Sequence, residues 1–344
     1  MYNVIDFMNK YFDGRKILLP YQFWYPLVNA YRDKVNISNY TEFINSLEKK
    51  SNEKKDAMIY IHIPFCNSKC KYCDFEKSYK YDEIDEYIDL VVNEMKKYAQ
   101  YAYVNELLVK SIYIGGGTPT ILRTEQLDKI LNNVKTIFNV EKDVTINIEC
   151  SPNTINDEKL ALFKENSVSR VSMGVQSFDE KTRTEFNISS KIEDVYDGIK
   201  MANNRNIDIS IDLMYGFNNN IDDEMNRIIS DIRIASSLNI ASIELNMLYP
   251  STNVYKENYH MLNTERITQV MECAFEHLRE NGFAKISDVT YKKKRDAKFI
   301  LDTAYYGTSE GVLECIAIGA GARGYIAGYR YINAMYSRYK KGKE

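Results

Sequence analysis

The feature that most constrains this chain is a repeated alternation of short β-rich runs with helical stretches. The runs read "MIYIHI", "SIYIGG", "VTINIEC", "RVSMGV", "IDISIDLMYG" and "IASIELNML". Helical patterns fall between and after them, over residues 81–99, 124–138, 157–166, 192–204, 222–238 and 264–281. A strand that hands over to a helix each time must rejoin its sheet through a crossover. Strict alternation therefore predicts an α/β fold, a parallel sheet with helices on its outer face and right-handed connections. A doubly wound sheet and part of a (β/α) barrel both satisfy the pattern, and both build their sites on the loops leaving strand C-termini.

The chemistry-bearing residues stand at those loops. Three cysteines follow the first strand and "GGGTP" follows the second. Glu149 ends the third strand, Gln176 follows the fourth, and Asp212 lies near the end of the fifth. One rim collects them all.

Outside this core the signals are weaker. Residues 1–55 read as a helical N-terminal extension, with Phe7, Tyr11 and Phe12 at helical spacing, closed by the charged linker "EKKSNEKKD". Residues 56–249 form the alternating core. Residues 250–344 read as a smaller C-terminal region with the glycine-rich turn "IAIGAGARGYIAGYRYIN".

A hydrophobic fraction of 44% and a charged fraction of 27% belong to a soluble globular chain. A net charge of -3 gives no general pull toward nucleic acid or an anionic membrane. The basic run "YKKKRDAK" is a candidate phosphate or carboxylate contact, although a solvated face is the commoner outcome. The apolar stretch "ILLPYQFWYPLV" is interrupted by Pro20 and Pro26, and the N-terminus lacks a signal-peptide pattern. The expectation is a cytoplasmic protein without membrane or nucleic-acid partners. In that reducing compartment the six cysteines do not suggest disulfides. Cys150, Cys273 and Cys315 are scattered and read as small buried apolar side chains.

The other three are clustered. "YIHIPFCNSKCKYCDF" places Cys66, Cys70 and Cys73 in a C-x3-C-x2-C loop. Zinc would need a fourth ligand, and the chain has only His62, His260 and His277 to offer. His62 alternates with Ile61 and Ile63 on the strand, so it points along the strand face rather than around the loop. A [4Fe–4S] cluster suits the set better, because three thiolates leave one iron open to an outside ligand.

With an aromatic residue, Tyr72, before its last cysteine, the loop resembles the signature of radical S-adenosylmethionine (SAM) enzymes. The ordered set "YIHIPFCNSKCKYCDF", "IYIGGGTPTIL", "NIECSPNTI", "RVSMGVQSFD", "IDLMYGF" and "IAIGAGARG" resembles one branch of them, from about residue 60 to residue 333. That branch is the oxygen-independent coproporphyrinogen oxidase-like (HemN/HemW-like) one. It includes the oxidase, a related heme chaperone, heme-degrading methyltransferases and class C radical methyltransferases. The resemblance implies a partial (β/α)6 TIM-like barrel with a helical N-terminal extension and a small, shortened C-terminal region.

It also implies roles. Cys66, Cys70 and Cys73 would hold the [4Fe–4S] cluster. Gly115, Gly116, Gly117 and Thr118 would contact the amino group of SAM, and Glu149, Gln176, Asp212, Phe65 and Tyr72 would surround the cofactor. Tyr60 and His62 would line the cofactor and substrate cavity as catalytic candidates. Read without the family, the glycines are an ordinary turn, Glu149 a surface acid, and Tyr60 a half-buried strand aromatic. An external donor such as flavodoxin or ferredoxin would supply one electron, cleaving SAM to methionine and a 5′-deoxyadenosyl radical. That radical would act on a small-molecule or peptide-derived substrate, or on a second SAM in the methyltransferase branch.

Several places depart from the branch. "FNISSK" stands where an arginine usually follows Gln176 by about a dozen residues, and Arg323 stands where histidine is frequent. Asn218 replaces a proline after "IDLMYGF", "KFILDTAYYG" lacks the chaperone's His-Asn pair, and the sequence ends soon after "RYIN". These departures favour methylation or related C–H modification, with a heme chaperone that binds rather than transforms its ligand as the alternative.

Overall fold

The computed structural model describes residues 37–50, 55–73, 75, 77–248, 264–286, 289–293 and 314–341. The lead-in helix expected around Phe7, Tyr11 and Phe12 lies outside them, as do His260, "KFILDTAYYG" and most of the basic run.

Six strands pair in parallel and in sequence order: β1 (Lys55–Ile63), β2 (Leu107–Gly116), β3 (Val140–Cys150), β4 (Arg170–Gln176), β5 (Asp208–Tyr215) and β6 (Ser242–Met247). Before them stands α1 (Ile37–Glu48). The crossovers carry α2 (Ile84–Tyr98), α3 (Thr124–Ile137), α4 (Asp157–Glu165), the short α5 (Glu180–Glu185) with α6 (Ile192–Asn204), and α7 (Ile221–Ser237). Helix α8 (Thr264–Glu280) follows β6. These are the six strand–helix units expected of the partial barrel.

Later segments extend the same sheet at both ends. Beyond β6 lie β8 (Thr290–Lys292) and β7 (Ala284–Lys285), both antiparallel. On the other side β9 (Glu314–Ile318) runs parallel to β1, followed by the hairpin of β10 (Arg323–Ile326) and β11 (Tyr329–Ile332). Among the described residues the sheet has eleven strands, with β11 and β7 as its two ends.

The period-2 alternation explains the layering. Ile59, Ile61 and Ile63, then Ile112 and Ile114, then Ile146 and Ile148 are all fully buried against the helices. Helix α3 meets them with Leu127, Ile130, Leu131 and Val134, one apolar stripe at helical spacing. Each such buried side chain contributes about 1.5–3 kcal/mol. The alternate positions face the other way and are largely polar: Tyr60 and His62, Tyr113, Asn147 and Glu149, Arg170 and Ser172, Ser210 and Asp212, Ser242 and Glu244. An isoleucine wall outside and a polar wall inside is what a barrel needs to house a ligand. Among the described residues no helix is long and apolar enough to cross a membrane.

Candidate cluster and cofactor site

The cysteine loop leaves β1 at the C-terminal rim and is pinned from several sides by hydrogen bonds. Ser78 N donates to Pro64 O (2.8 Å) and Cys66 N to Ser78 O (3.2 Å). Tyr79 and Tyr81 donate their hydroxyls to Ser68 O (3.0 Å) and Cys66 O (3.2 Å). From the far side, Lys71 N donates to Phe186 O (3.0 Å) and Asn187 Nδ2 to Lys69 O (3.0 Å). The loop thus reaches from β1 to the segment after α5. Cys66 Sγ lies 3.3 Å from Thr118 Oγ1 and Cys70 Sγ lies 3.0 Å from Ser68 Oγ. Tyr72 is half-buried, its ring edge-on to Phe217 at 6.4 Å in a cluster with Phe186 and Met214.

Beneath the loop, Phe65 is fully buried and meets Tyr87 of α2 and Tyr336 edge-on, at 5.4 and 5.6 Å. Tyr87 donates its hydroxyl to His62 O (2.7 Å) and accepts from Ala320 N (2.9 Å). At Gly319, with φ +99, a Cβ would stand 2.6 Å from His62 O, so the turn after β9 admits only glycine there.

The glycine run is dictated by the protein's own backbone. Gly117 N donates to Ile63 O (2.7 Å) and Thr118 N to Phe65 O (2.8 Å), so this segment lies flat against the start of the cysteine loop. A Cβ on Gly117 would stand 2.4 Å from Phe65 O, and one on Gly115 would stand 2.7 Å from Glu149 Oε1. Glu149 is half-buried on the inner face, where it accepts from Tyr113 OH (2.8 Å) and Gly116 N (2.8 Å). Glycines, cysteine loop and Glu149 are therefore in mutual contact.

His62 and Tyr60 share the inner face of β1, with Tyr60 OH 3.0 Å from His62 Nδ1. Burial first, and then the Arg323 guanidinium, hold the His62 imidazole down to about 4, so it is neutral at pH 7. Gln176 closes β4 at φ 69, a left-handed conformation uncommon for a residue with a side chain. A register shift between Gly174 and Gln176 accompanies it, and Gln176 Nε2 would stand 3.0 Å from a Cβ on Gly174. The bulge re-aims Gln176 over Gly174 on the inner wall. Asp212 sits half-buried on the same wall, in register with Gly174 and Glu244.

Two sets of residues escaped the sequence reading. Arg227 of α7 is bound by Glu224 (2.5 Å) and Asp231 (2.6 Å), all three buried. Asp231 accepts from Phe178 N (2.8 Å), and Glu224 from Gly216 N (2.7 Å) and Asn218 N (2.9 Å). This triad fixes the loops after β4 and β5. Asn218, read as a replaced proline, uses the backbone N–H that a proline would lack. The second set is Asn147, Arg170 and Ser172, deeper on the inner wall, where Arg170 Nε donates to Asn147 Oδ1 (2.8 Å). Its signal was available: polar residues at every second position of strands otherwise built of isoleucine and valine. Arg183, seven residues after Gln176, is buried with its guanidinium on Val175 O (2.9 Å) and Ser177 O (2.7 Å), and so anchors backbone.

The donor set fits an iron–sulfur cluster. Three thiols stand on one pinned loop, with hydroxyls beside two of them. Among the described residues no three His, Cys, Asp or Glu side chains are grouped to hold a metal ion. A four-iron cluster takes each thiolate on a separate iron, so its sulfurs need not converge on one point. Cys66, Cys70 and Cys73 are the residues that would hold it.

Comparison with known proteins agrees. Residues 60–232 match the family model described as the Radical SAM superfamily. The chain belongs to that superfamily, whose members bind a [4Fe–4S] cluster and SAM and draw on an electron donor. The heme chaperone HemW of Bacillus subtilis is 30% identical over 283 residues, covering 80% of this chain and 72% of that protein. HemW of Escherichia coli is 31% identical over 184 residues, covering 53% of this chain and 47% of that protein. Coproporphyrinogen III oxidase (HemN) from Escherichia coli superposes with a TM-score of 0.75 at 20% identity, over 88% of this chain and 72% of that one. Within the superfamily the chain falls in the HemN/HemW-like branch.

Proposed function

We propose that this chain is a heme-binding protein of the radical SAM type, holding a [4Fe–4S] cluster on Cys66, Cys70 and Cys73 with SAM beside it. The observation that carries the reading is the likeness to a heme chaperone across 80% of the chain. When bound, the cluster supplies the single electron that reductive chemistry on SAM requires. The protein's own residues do the rest. The thiolates bind, and Thr118 and Ser68 supply hydroxyls beside two of them. Glu149, oriented by Tyr113 and Gly116, offers acceptor oxygens to the cofactor's polar groups. His62 stays neutral, with Nδ1 facing Tyr60. Gln176, Asp212, Phe65, Tyr72 and the glycine run complete the cofactor wall in this reading. An external one-electron donor such as flavodoxin or ferredoxin, and a cytoplasmic setting, belong to it as well.

A second reading, methylation or related radical C–H modification of a small molecule, is favoured by Arg323, which stands where the branch often carries histidine. One experiment separates the two. The protein is reconstituted anaerobically with iron and sulfide, titrated with hemin by visible absorbance, then given dithionite and SAM. Saturable hemin binding with little 5′-deoxyadenosine supports the first reading. Release of 5′-deoxyadenosine and S-adenosylhomocysteine without hemin binding would replace it by the second.

A further inference from the structure

We infer that Asn147 and Arg170, low on the inner wall of the barrel, form a subsite for an acceptor oxygen of the bound substrate, filled by a carboxylate when the substrate is a porphyrin. The argument begins with the orientation of one amide. Asn147 is 6% exposed, and its Oδ1 accepts from Arg170 Nε (2.8 Å) and from Ser172 Oγ (3.1 Å). A guanidinium can only donate, so the atom facing Arg170 must be the amide oxygen. The amide nitrogen is thereby turned away from both partners. Among the described residues Nδ2 has no hydrogen-bond partner. Burying N–H donors in this state is unfavourable, so a site that keeps them should repay the cost when occupied.

The position says what kind of group would reach them. Asn147 shares its face with Glu149, two residues nearer the rim, and so lies about 7 Å deeper. The register places Tyr60, Tyr113, Asn147 and Arg170 side by side on four consecutive strands. The Tyr113 and Tyr60 hydroxyls already turn toward Glu149 and His62 nearer the rim, which leaves the amide and the guanidinium as the donors of this layer, below the candidate cofactor residues, where a substrate group would rest. Asp208 is next in register to Arg170 on β5, so an acid stands beside the base at this level of the sheet. The layer therefore recognises an acceptor by directed donors rather than by net charge. The inference deepens the heme reading, because heme carries two carboxylates, yet it stands on the amide's geometry alone.

The test uses the reconstituted holoprotein and two probes, hemin and the metal-free tetracarboxylate coproporphyrin, each titrated by absorbance. Asn147→Asp keeps an acceptor for Arg170 and Ser172 while replacing the donor by a second acceptor. Asn147→Ala removes the donor without adding charge. Expected is a loss of hemin affinity of roughly tenfold or more for Asn147→Asp and a smaller loss for Asn147→Ala, with circular dichroism and iron per chain unchanged. Hemin binding unaffected by both variants overturns the inference and leaves the heme reading standing. Asn147-dependent binding of coproporphyrin without hemin binding supports the inference and removes the heme reading. Binding of neither probe to the unmodified protein overturns both.

Discussion

Lowering the pH tests the burial of His62 directly. Its folded-state value is held down to about 4, against 6.5 for an ordinary imidazole. Above pH 6.5 neither state carries the proton and the group contributes nothing to pH dependence. Between 6.5 and 4 the unfolded chain takes up a proton that the folded protein refuses, so stability falls as pH falls. Linkage puts the loss at roughly 2 kcal/mol at pH 5 and about 3 kcal/mol once pH is below 4. The assay is urea unfolding of the cluster-free protein at pH 7.5 and pH 5.0, for wild type and His62→Asn. Asparagine keeps a polar atom near Tyr60 OH but does not titrate. The drop between the two pH values should be about 2 kcal/mol smaller in the variant. Because the chain has three histidines, NMR of labelled imidazoles supplies a second readout, in which one resonance titrates near 4 and is missing from His62→Asn. Equal pH dependence in the two proteins, or no histidine titrating below 5.5, would refute the reasoning.

Four further outcomes follow from the geometry. Tyr87→Phe leaves His62 O and Ala320 N without their shared hydroxyl and should cost about 2 kcal/mol in urea unfolding; no measurable loss would mean water replaces it. Arg227→Leu strands two buried carboxylates and should cost about 3–5 kcal/mol, whereas a loss under 1 would show that the triad is solvated. Gly117→Ala forces a Cβ to within 2.4 Å of Phe65 O, so iron incorporation should fall sharply while the far-ultraviolet spectrum holds. Full cluster content would show that the segment can shift. Cys70→Ala should abolish the cluster's visible absorbance and leave the helical content intact, and retention of four irons per chain would remove Cys70 from the ligand set.

The parallel order β1 to β6 was legible because each strand is short, apolar on alternate positions and followed by an amphipathic helix. Local pattern and global topology agree there. The rim was legible for the same reason, since the C-terminal ends of parallel strands must lie together. What could not be read was which elements the last segment joins. Strands β9 to β11 pack beside β1 across more than two hundred residues of sequence, and nothing in "IAIGAGARGYIAGYRYIN" names β1 as their partner. The glycine run was read as a place for a ligand to approach. The structure gives it a prior obligation, since Phe65 O, Ile63 O and the Glu149 carboxylate already fill the space a side chain would take.

That late pairing decides how the cysteine loop is held. Glu94 of α2 accepts from Gly319 N (2.8 Å), from Asn333 Nδ2 (2.8 Å) and from Tyr339 OH, so one carboxylate ties the end of the chain to the first crossover helix. Tyr336 donates to Glu83 Oε2 (2.6 Å) while its ring lies against Phe65. Phe65 immediately precedes Cys66, so the first candidate ligand is positioned by residues near 90 and near 335 together. Tyrosine suits this task because it buries a ring and still delivers a hydroxyl to a carboxylate at its edge. The sequence carries twenty-eight tyrosines against one tryptophan. Around the cysteine loop the structure gives several of them work, since Tyr79, Tyr81, Tyr87, Tyr336 and Tyr339 fasten the loop or its support by hydroxyl bonds. A loop fastened in this way needs no metal to find its shape, which is why cluster loss and unfolding should separate in the Cys70→Ala experiment.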